Sequence, residues 1–113
     1  MRAFNRDSGR ELARNLSVAK TVFSRAKGLL GRKALPHGEG LLIKPCKGVH
    51  TFLMKFPIDV VFLDKQNRII ATVTNLLPQR MTKMLLSSYC VIELPSGTVQ
   101  ASGTVIGNVI DIS

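Results

Sequence analysis

The sequence contains no tryptophan, one tyrosine and two cysteines among its 113 residues. Two cysteines are too few for a disulfide scaffold. No stretch reaches the roughly 18 consecutive apolar residues that a membrane-spanning helix needs, because Lys55, Asp59 and Asp64 interrupt the longest apolar runs. The N-terminal segment also lacks the apolar region of a signal peptide. We therefore expect a cytoplasmic protein without a membrane span and with free thiols at Cys46 and Cys90.

Apolar residues make up 45% of the chain and charged residues 20%, which is the composition of a protein that folds unaided. The length allows one hydrophobic core. Residues 1–10 are polar and show no period, so we expect a flexible basic arm there. The remaining residues, 11–113, are then one globular domain.

Carboxylates are scarce in the N-terminal half of the chain. Of the net charge of +9, all the excess lies in residues 1–55, which hold twelve Lys/Arg against three Asp/Glu. Such asymmetry can attract a polyanion such as nucleic acid, or it can serve solubility alone. The residues that would contact a polyanion are Arg25, Lys27, Arg32 and Lys33. The sequence lacks the interleaved aromatic residues that would strengthen this interpretation.

The apolar pattern predicts mostly β-structure with one helix. A weak period of two over residues 12–18 predicts a first strand, and further strands are expected at 41–43, 49–54, 58–63, 69–76, 89–94 and 105–112. Residues 78–88 read as a loop. Thr21 can cap an amphipathic helix with apolar residues at Val22, Phe23 and Leu29, and Gly31 is placed to end it.

The loop from Cys46 to Thr51 brings a thiol, an imidazole and a hydroxyl together in sequence. Cys46 and His50 could form a nucleophile and its base, although residues four apart in an extended segment lie about 13 Å from each other. With His37 and Cys90 they could also be soft metal ligands. Structural zinc sites usually have two close-spaced ligand pairs, and here only Cys46 and His50 are near in sequence, so we predict no metal and no cofactor.

Asp59 and Glu93 each interrupt a strand whose other residues look buried. A buried carboxylate without a partner is costly. Partners available in the sequence include His50, Thr51 and Arg80. These carboxylates therefore either have a purely structural role, bonded to neighbouring residues, or line a polar pocket.

Four segments of the chain resemble one family: Ser24–Arg32, Gly40–Ile43, Cys46–Asp64 and Glu93–Gly97. The sequence is similar there to the bacterial and archaeal family known as domain of unknown function 192, over about residues 12–112. The resemblance implies a small α+β domain with a barrel-like core and implies no established activity. The family's motif falls on Gly28, Leu29, Gly31, Arg32, His50, Thr51, Met54, Pro57, Asp59, Asp64, Glu93, Leu94, Pro95 and Gly97.

Together these observations predict an α+β fold of mostly antiparallel strands, with a small barrel-like sheet and one amphipathic helix near the N-terminus. The leading functional hypothesis is a binding module without catalytic residues, for a small polar ligand or a protein or peptide partner. Its predicted site joins the Cys46–Lys55 segment to the Asp59 and Glu93 strands, with ligand contacts from Cys46, His50, Thr51, Asp59, Arg80 and Glu93. Polyanion binding by the basic half and a Cys/His-dependent enzyme are the alternatives.

Overall fold

The computed structural model describes all residues, 1–113. It contains eight strands and two short helices. In chain order they are β1 (Ala3–Asn5), β2 (Arg10–Ala13), β3 (Asn15–Ala19), α1 (Val22–Lys27), β4 (Glu39–Ile43), β5 (Ile58–Leu63), β6 (Ile69–Leu76), β7 (Cys90–Pro95), α2 (Thr98–Ala101) and β8 (Ile110–Ile112).

The strands form two sheets. The larger sheet has the order β3-β4-β7-β5-β6 and the smaller one the order β2-β1-β8. All pairings are antiparallel except that of β3 with β4, which is parallel. The prediction of a mostly antiparallel α+β fold is confirmed. The barrel-like closure is not, because the strands divide between two open sheets, and α1 follows three strands instead of lying at the N-terminus.

The adjacent strands β5 and β7 form the centre of the larger sheet. Nearly every residue of both is buried, as their apolar runs predict, and the one carboxylate in each strand is buried too. Their register sets Asp59 opposite Leu94 and Val60 opposite Glu93. Since paired residues share a face and neighbours alternate, Asp59 and Glu93 lie on opposite faces of the sheet.

Each face of the larger sheet carries its own hydrophobic core. One core joins Val61, Ile92 and Leu94 to residues of the small sheet and to Val99 of α2. The other core contains Val60 and Phe62 and is covered by residues from the segments that follow α1 and precede β5, namely Leu29, Leu35 and Met54. Each fully buried side chain of this size contributes about 1.5–3 kcal/mol to folding.

Helix α1 begins where the sequence predicts and ends earlier. Thr21 accepts a hydrogen bond from the Ser24 N–H, and the Ser24 hydroxyl accepts one from the Thr21 N–H, so the two form a capping box. Gly28, with φ of +50°, ends the helix three residues before the predicted Gly31. The predicted apolar face is buried only at Leu29, beyond the end of the helix, while Val22 and Phe23 are 77% and 79% exposed.

The N-terminal residues differ from the expected flexible arm. Ala3 and Asn5 are fully buried on β1, which pairs with both β2 and β8. The Asn5 side-chain amide donates to Thr104 Oγ1 and Asn108 Oδ1, and its carbonyl accepts from the backbone N–H groups of Asp7 and Ser8. The polar composition of residues 1–10 predicts a loose arm, whereas the buried side chain of Asn5 joins the two ends of the chain.

The other predicted elements hold in part. The strands at 58–63 and 69–76 are confirmed, as is the loop at 78–88, and β4 and β7 match the expected strands within two residues. The expected first strand is two strands, because β2 pairs with β1 while β3 pairs with β4. Residues 49–54 form a loop with one bridge, His50 to Met81. The closing strand is shorter than predicted, and α2 was missed.

Neither helix is long and apolar enough to cross a membrane.

We expect Asn5→Ala to lower the free energy of unfolding by about 2–4 kcal/mol, because it removes four hydrogen bonds and leaves buried donors and acceptors unpaired. Urea unfolding of the two proteins measures the difference. Asn15→Ala, at an exposed position of β3, is the matched control. A loss at Asn5 no larger than that of the control would contradict this account of the N-terminal strand.

Candidate functional site

A cavity of about 140 Å³ opens between the end of α1, the loop that begins at Cys46, and strand β7. Its apolar wall includes Leu29, Val49 and Met54. The polar side chains that line it are those of Arg25, Lys27, Cys46, His50 and Glu93. Three of the six predicted ligand contacts therefore meet in one pocket.

Glu93 contributes the most deeply buried charge of the pocket. It lies on β7 between Leu41 of β4 and Val60 of β5, and only 2% of it is exposed. Its Oε1 atom is buried and has no hydrogen-bond partner. Burial raises the pKa of Glu93 to about 7, because an ionised carboxylate loses its hydration. Near neutral pH this side chain is therefore divided between its protonated and ionised forms.

Gly28 allows the chain to pass close to this carboxyl group. A Cβ atom at Gly28 would lie 3.6 Å from Glu93 Oε1. The positive φ of Gly28 is a conformation that other residues rarely adopt. The end of α1 is thus placed directly against the buried acid, with no side chain between them.

Cys46 stands beside the same acid. Its thiol lies 3.2 Å from the Gly48 carbonyl oxygen, to which it can donate a hydrogen bond. Burial raises the pKa of Cys46 and the charge of Glu93 adds to this effect, while the Gly48 backbone and the charge of Arg25 oppose it. The thiol form is therefore favoured at neutral pH. Cys90, the other free cysteine, is buried away from the pocket, and burial raises its pKa to about 11.

Arg25 and His50 also line the pocket. Arg25 donates from Nη1 to the Pro45 carbonyl at 3.1 Å, while its buried Nε has no partner. The His50 ring is exposed, accepts the Phe52 N–H at Nδ1, and stacks on the Phe52 ring with centroids 5.1 Å apart. The structure contains no hydrogen bond between His50 and Cys46.

Thr51 and Arg80 hold the loop in place without entering the pocket. The buried Thr51 hydroxyl donates to the Leu77 carbonyl at 2.5 Å and accepts the Arg80 N–H at 3.0 Å. The Thr51 N–H donates to the Arg80 carbonyl at 2.8 Å. The Arg80 guanidinium is exposed and donates to the Gln79 carbonyl. These contacts fix the pocket loop to the segment that follows β6.

Asp59 lies on the other face of the sheet, away from the pocket. Its carboxylate accepts the backbone N–H groups of Asn75, Gly97 and Val99 at 2.9, 3.1 and 2.9 Å. Gly97 precedes α2 and provides no side-chain cap, so Asp59 satisfies the free N–H groups at the start of that helix. The expectation that Asp59 and Glu93 share one cleft is corrected by the alternation of side chains along paired strands.

The basic residues named for polyanion contact do not form one free cluster. Arg25 lines the pocket, and Arg32 forms an ion pair with Glu39 at 2.8 Å. Lys27 and Lys33 are exposed, and Lys27 also lies at the wall of the pocket. No group of three or more His, Cys, Asp and Glu side chains is arranged to hold a metal ion.

The sequence analysis missed that Arg25 and Gly28 belong with Glu93. Arg25 was assigned only to the polyanion alternative. The signal that could have joined them is the family motif, which includes both Gly28 and Glu93 although they are far apart in sequence. The structure gives the physical reason, since the backbone at Gly28 lies against the Glu93 carboxyl group.

We expect Asp59→Asn to lower the free energy of unfolding by about 1–3 kcal/mol, because an amide offers one acceptor oxygen where three N–H donors converge. Urea unfolding at pH 8 measures it. A change of less than half a kcal/mol, on the order of the measurement error, would contradict the capping role.

Glu93→Gln should instead stabilise the protein above neutral pH. Between the ordinary carboxyl pKa of 4.5 and about 7, the folded state keeps a proton that the unfolded chain has released, so wild-type stability falls as pH rises through this window. The variant, which cannot ionise, should gain about 3 kcal/mol relative to wild type by pH 8 and nothing from this source below pH 4.5.

Urea unfolding at a series of pH values measures this difference. Glu11→Gln removes the same charge from an exposed position of β2 and controls for the change in net charge. A Glu93→Gln difference that is independent of pH would show that the buried carboxyl group has an ordinary pKa.

The chain was compared with known families, curated proteins and solved structures. No curated protein matches. A solved structure of a protein of unknown function from Novosphingobium aromaticivorans DSM 12444 is 22% identical, covers 97% of this chain and 82% of its own, and has a TM-score of 0.85. Another, described as a "putative transcription regulator" from Sinorhizobium meliloti 1021, is 21% identical, covers 97% and 89%, and has a TM-score of 0.79.

These likenesses confirm the fold. The family model described as "Uncharacterized ACR" matches residues 3–112, nearly the whole chain, and confirms the resemblance derived from the sequence motifs. The chain belongs to the family of domain of unknown function 192.

Proposed function

We propose that this domain is a binding module that holds a small polar ligand, or the polar end of a partner's peptide, above Glu93. The observation that carries the proposal is the buried Oε1 atom of Glu93, which has no hydrogen-bond partner inside the chain. Buried polar atoms in folded proteins are nearly always paired, and an unpaired one costs about 1–3 kcal/mol. A ligand that donates a hydrogen bond to this atom would remove that cost.

The size and lining of the cavity support a small ligand group. Its volume of about 140 Å³ is below the roughly 300 Å³ at which pockets for drug-sized ligands begin. Seven of the thirteen lining residues, among them Leu29, Val49 and Met54, are hydrophobic, so a ligand there would meet both apolar and polar groups. The buried Nε of Arg25 offers a donor in the same pocket. A group with both a donor and an acceptor would suit this pair.

The Cys/His enzyme is less well supported than binding. A nucleophilic cysteine needs a lowered pKa, whereas burial raises the pKa of Cys46. His50, the candidate base, makes no hydrogen bond with the thiol and accepts a backbone N–H at Nδ1. The pocket is therefore better suited to noncovalent binding of a ligand than to nucleophilic attack on one.

Polyanion binding remains the second proposal of a different class. It rests on the net charge of +9 and on the exposed Lys27 and Lys33. The ion pair of Arg32 with Glu39 reduces the positive charge available on this face. A steep fall in affinity for a labelled duplex as salt rises would support polyanion binding.

The proposal of a cytoplasmic location is tested separately by fractionation of the host cell.

Native mass spectrometry of protein purified gently from its own host tests the pocket directly. We expect a reproducible extra mass on the wild-type chain, because the ligand satisfies Glu93. Glu93→Leu should lose that mass, since leucine keeps the bulk of the side chain and removes the acceptor. Asp59→Asn, which changes a buried carboxylate on the opposite face, should keep it.

A bare wild-type chain in every preparation would contradict the binding proposal. An extra mass that persists on Glu93→Leu would place the ligand elsewhere on the chain.

A further inference from the structure

Strand β6 is an edge strand of the larger sheet and is open on its outer side. It pairs only with β5, apart from its first residue, where Ile69 exchanges backbone hydrogen bonds with Gly107 and Asn108. Between residues 70 and 74, no backbone group bonds to any segment outside the sheet. Unpaired N–H and C=O groups in a row are a template for another strand.

The middle of this edge lacks several of the features that usually protect one. Residues 69–74 contain no charged residue and no proline, and the pairing of β6 with β5 is regular from Ala71 to Val73, with one irregularity on each side of that stretch. The opposite edge strand, β3, differs. Its Leu16 N–H donates to the Met1 carbonyl, so part of that edge is already paired. Of the two edges of the larger sheet, β6 is thus the more open one.

A groove of about 370 Å³ lies beside the open edge, on the same face of the sheet as Glu93 but distinct from its pocket. Ala71 and Val73 of β6 form one side of the groove, while Met81, Lys83 and Leu85 form the other. A strand added to β6 would place alternate side chains on this face, about 6.6 Å apart. Those side chains would fill the groove.

We infer that β6 accepts an extended peptide segment of a partner protein, with apolar residues at alternate positions and acidic residues at its ends. The acidic character follows from charge, since residues 65–92 carry Lys65, Arg68, Arg80 and Lys83 and no carboxylate. A second copy of this chain fits less well, because each copy carries a net charge of +9. Backbone hydrogen bonds would supply affinity and the groove would select the alternating side chains.

The test uses the full chain and a short capped peptide of alternating valine and threonine with glutamates at both ends. NMR should show binding, with slowed hydrogen exchange at alternate amides between Ile70 and Thr74. Two control peptides separate the causes. One carries N-methyl groups on alternate backbone nitrogens and should not bind. The other replaces the glutamates with lysines and should bind about tenfold more weakly.

A charge-reversing substitution at an exposed position tests the same inference with a variant whose fold is unchanged. Lys83→Glu, at an exposed position beside the groove, should weaken the acidic peptide about tenfold and strengthen the lysine peptide. Lys33→Glu changes the net charge by the same amount at an exposed position that is remote from β6 in sequence. It should leave the preference for the acidic peptide intact.

Four results would overturn the inference: no binding of the acidic peptide, equal binding of the N-methylated peptide, no difference between acidic and basic peptides, or amides of residues 70–74 that are already protected by pairing with a second copy.

Discussion

Two carboxyl groups are buried on the two central strands of the larger sheet, and the cost of burying them organises the molecule. Asp59 on β5 and Glu93 on β7 lie one residue out of register, on opposite faces. Asp59 accepts three backbone N–H groups and so joins β6 and the start of α2 to the sheet. Glu93 has nothing comparable, since its Oε1 atom has no partner. The same kind of residue thus stabilises structure on one face and leaves an unmet hydrogen bond on the other.

The surroundings of Glu93 bury its carboxyl group and leave a small cavity beside it. Helix α1 stops at Gly28, so the following turn approaches the carboxyl group without a side chain in between. Thr51 fixes the Cys46–Met54 loop to residues 77–80 through its hydroxyl and backbone groups. Leu29 and Met54 then exclude bulk water from the wall of the pocket. A site of this kind binds through few polar contacts placed on rigid elements.

Much of the fold could be predicted from the sequence, because β5, β6 and β7 have long apolar or alternating runs and Thr21 is a typical helix cap. The pairing of β1 with β8 could not, since it depends on contacts between the two ends of the chain. Of the site residues predicted from the sequence, Cys46, His50 and Glu93 lie together in one pocket. The sequence could not tell that Asp59 faces the other way, because the direction of a side chain depends on the register of β5 against β7.

The central claim is that Glu93 is held buried without a partner until a ligand supplies one. The most direct measurement is an NMR titration of the Glu93 side-chain carboxyl carbon in the ligand-free protein. The account predicts a midpoint near pH 7, well above the 4.5 of an ordinary glutamate. A midpoint near 4.5 would show that water or a protein group already satisfies the carboxylate, and would remove the reason to regard this pocket as a binding site.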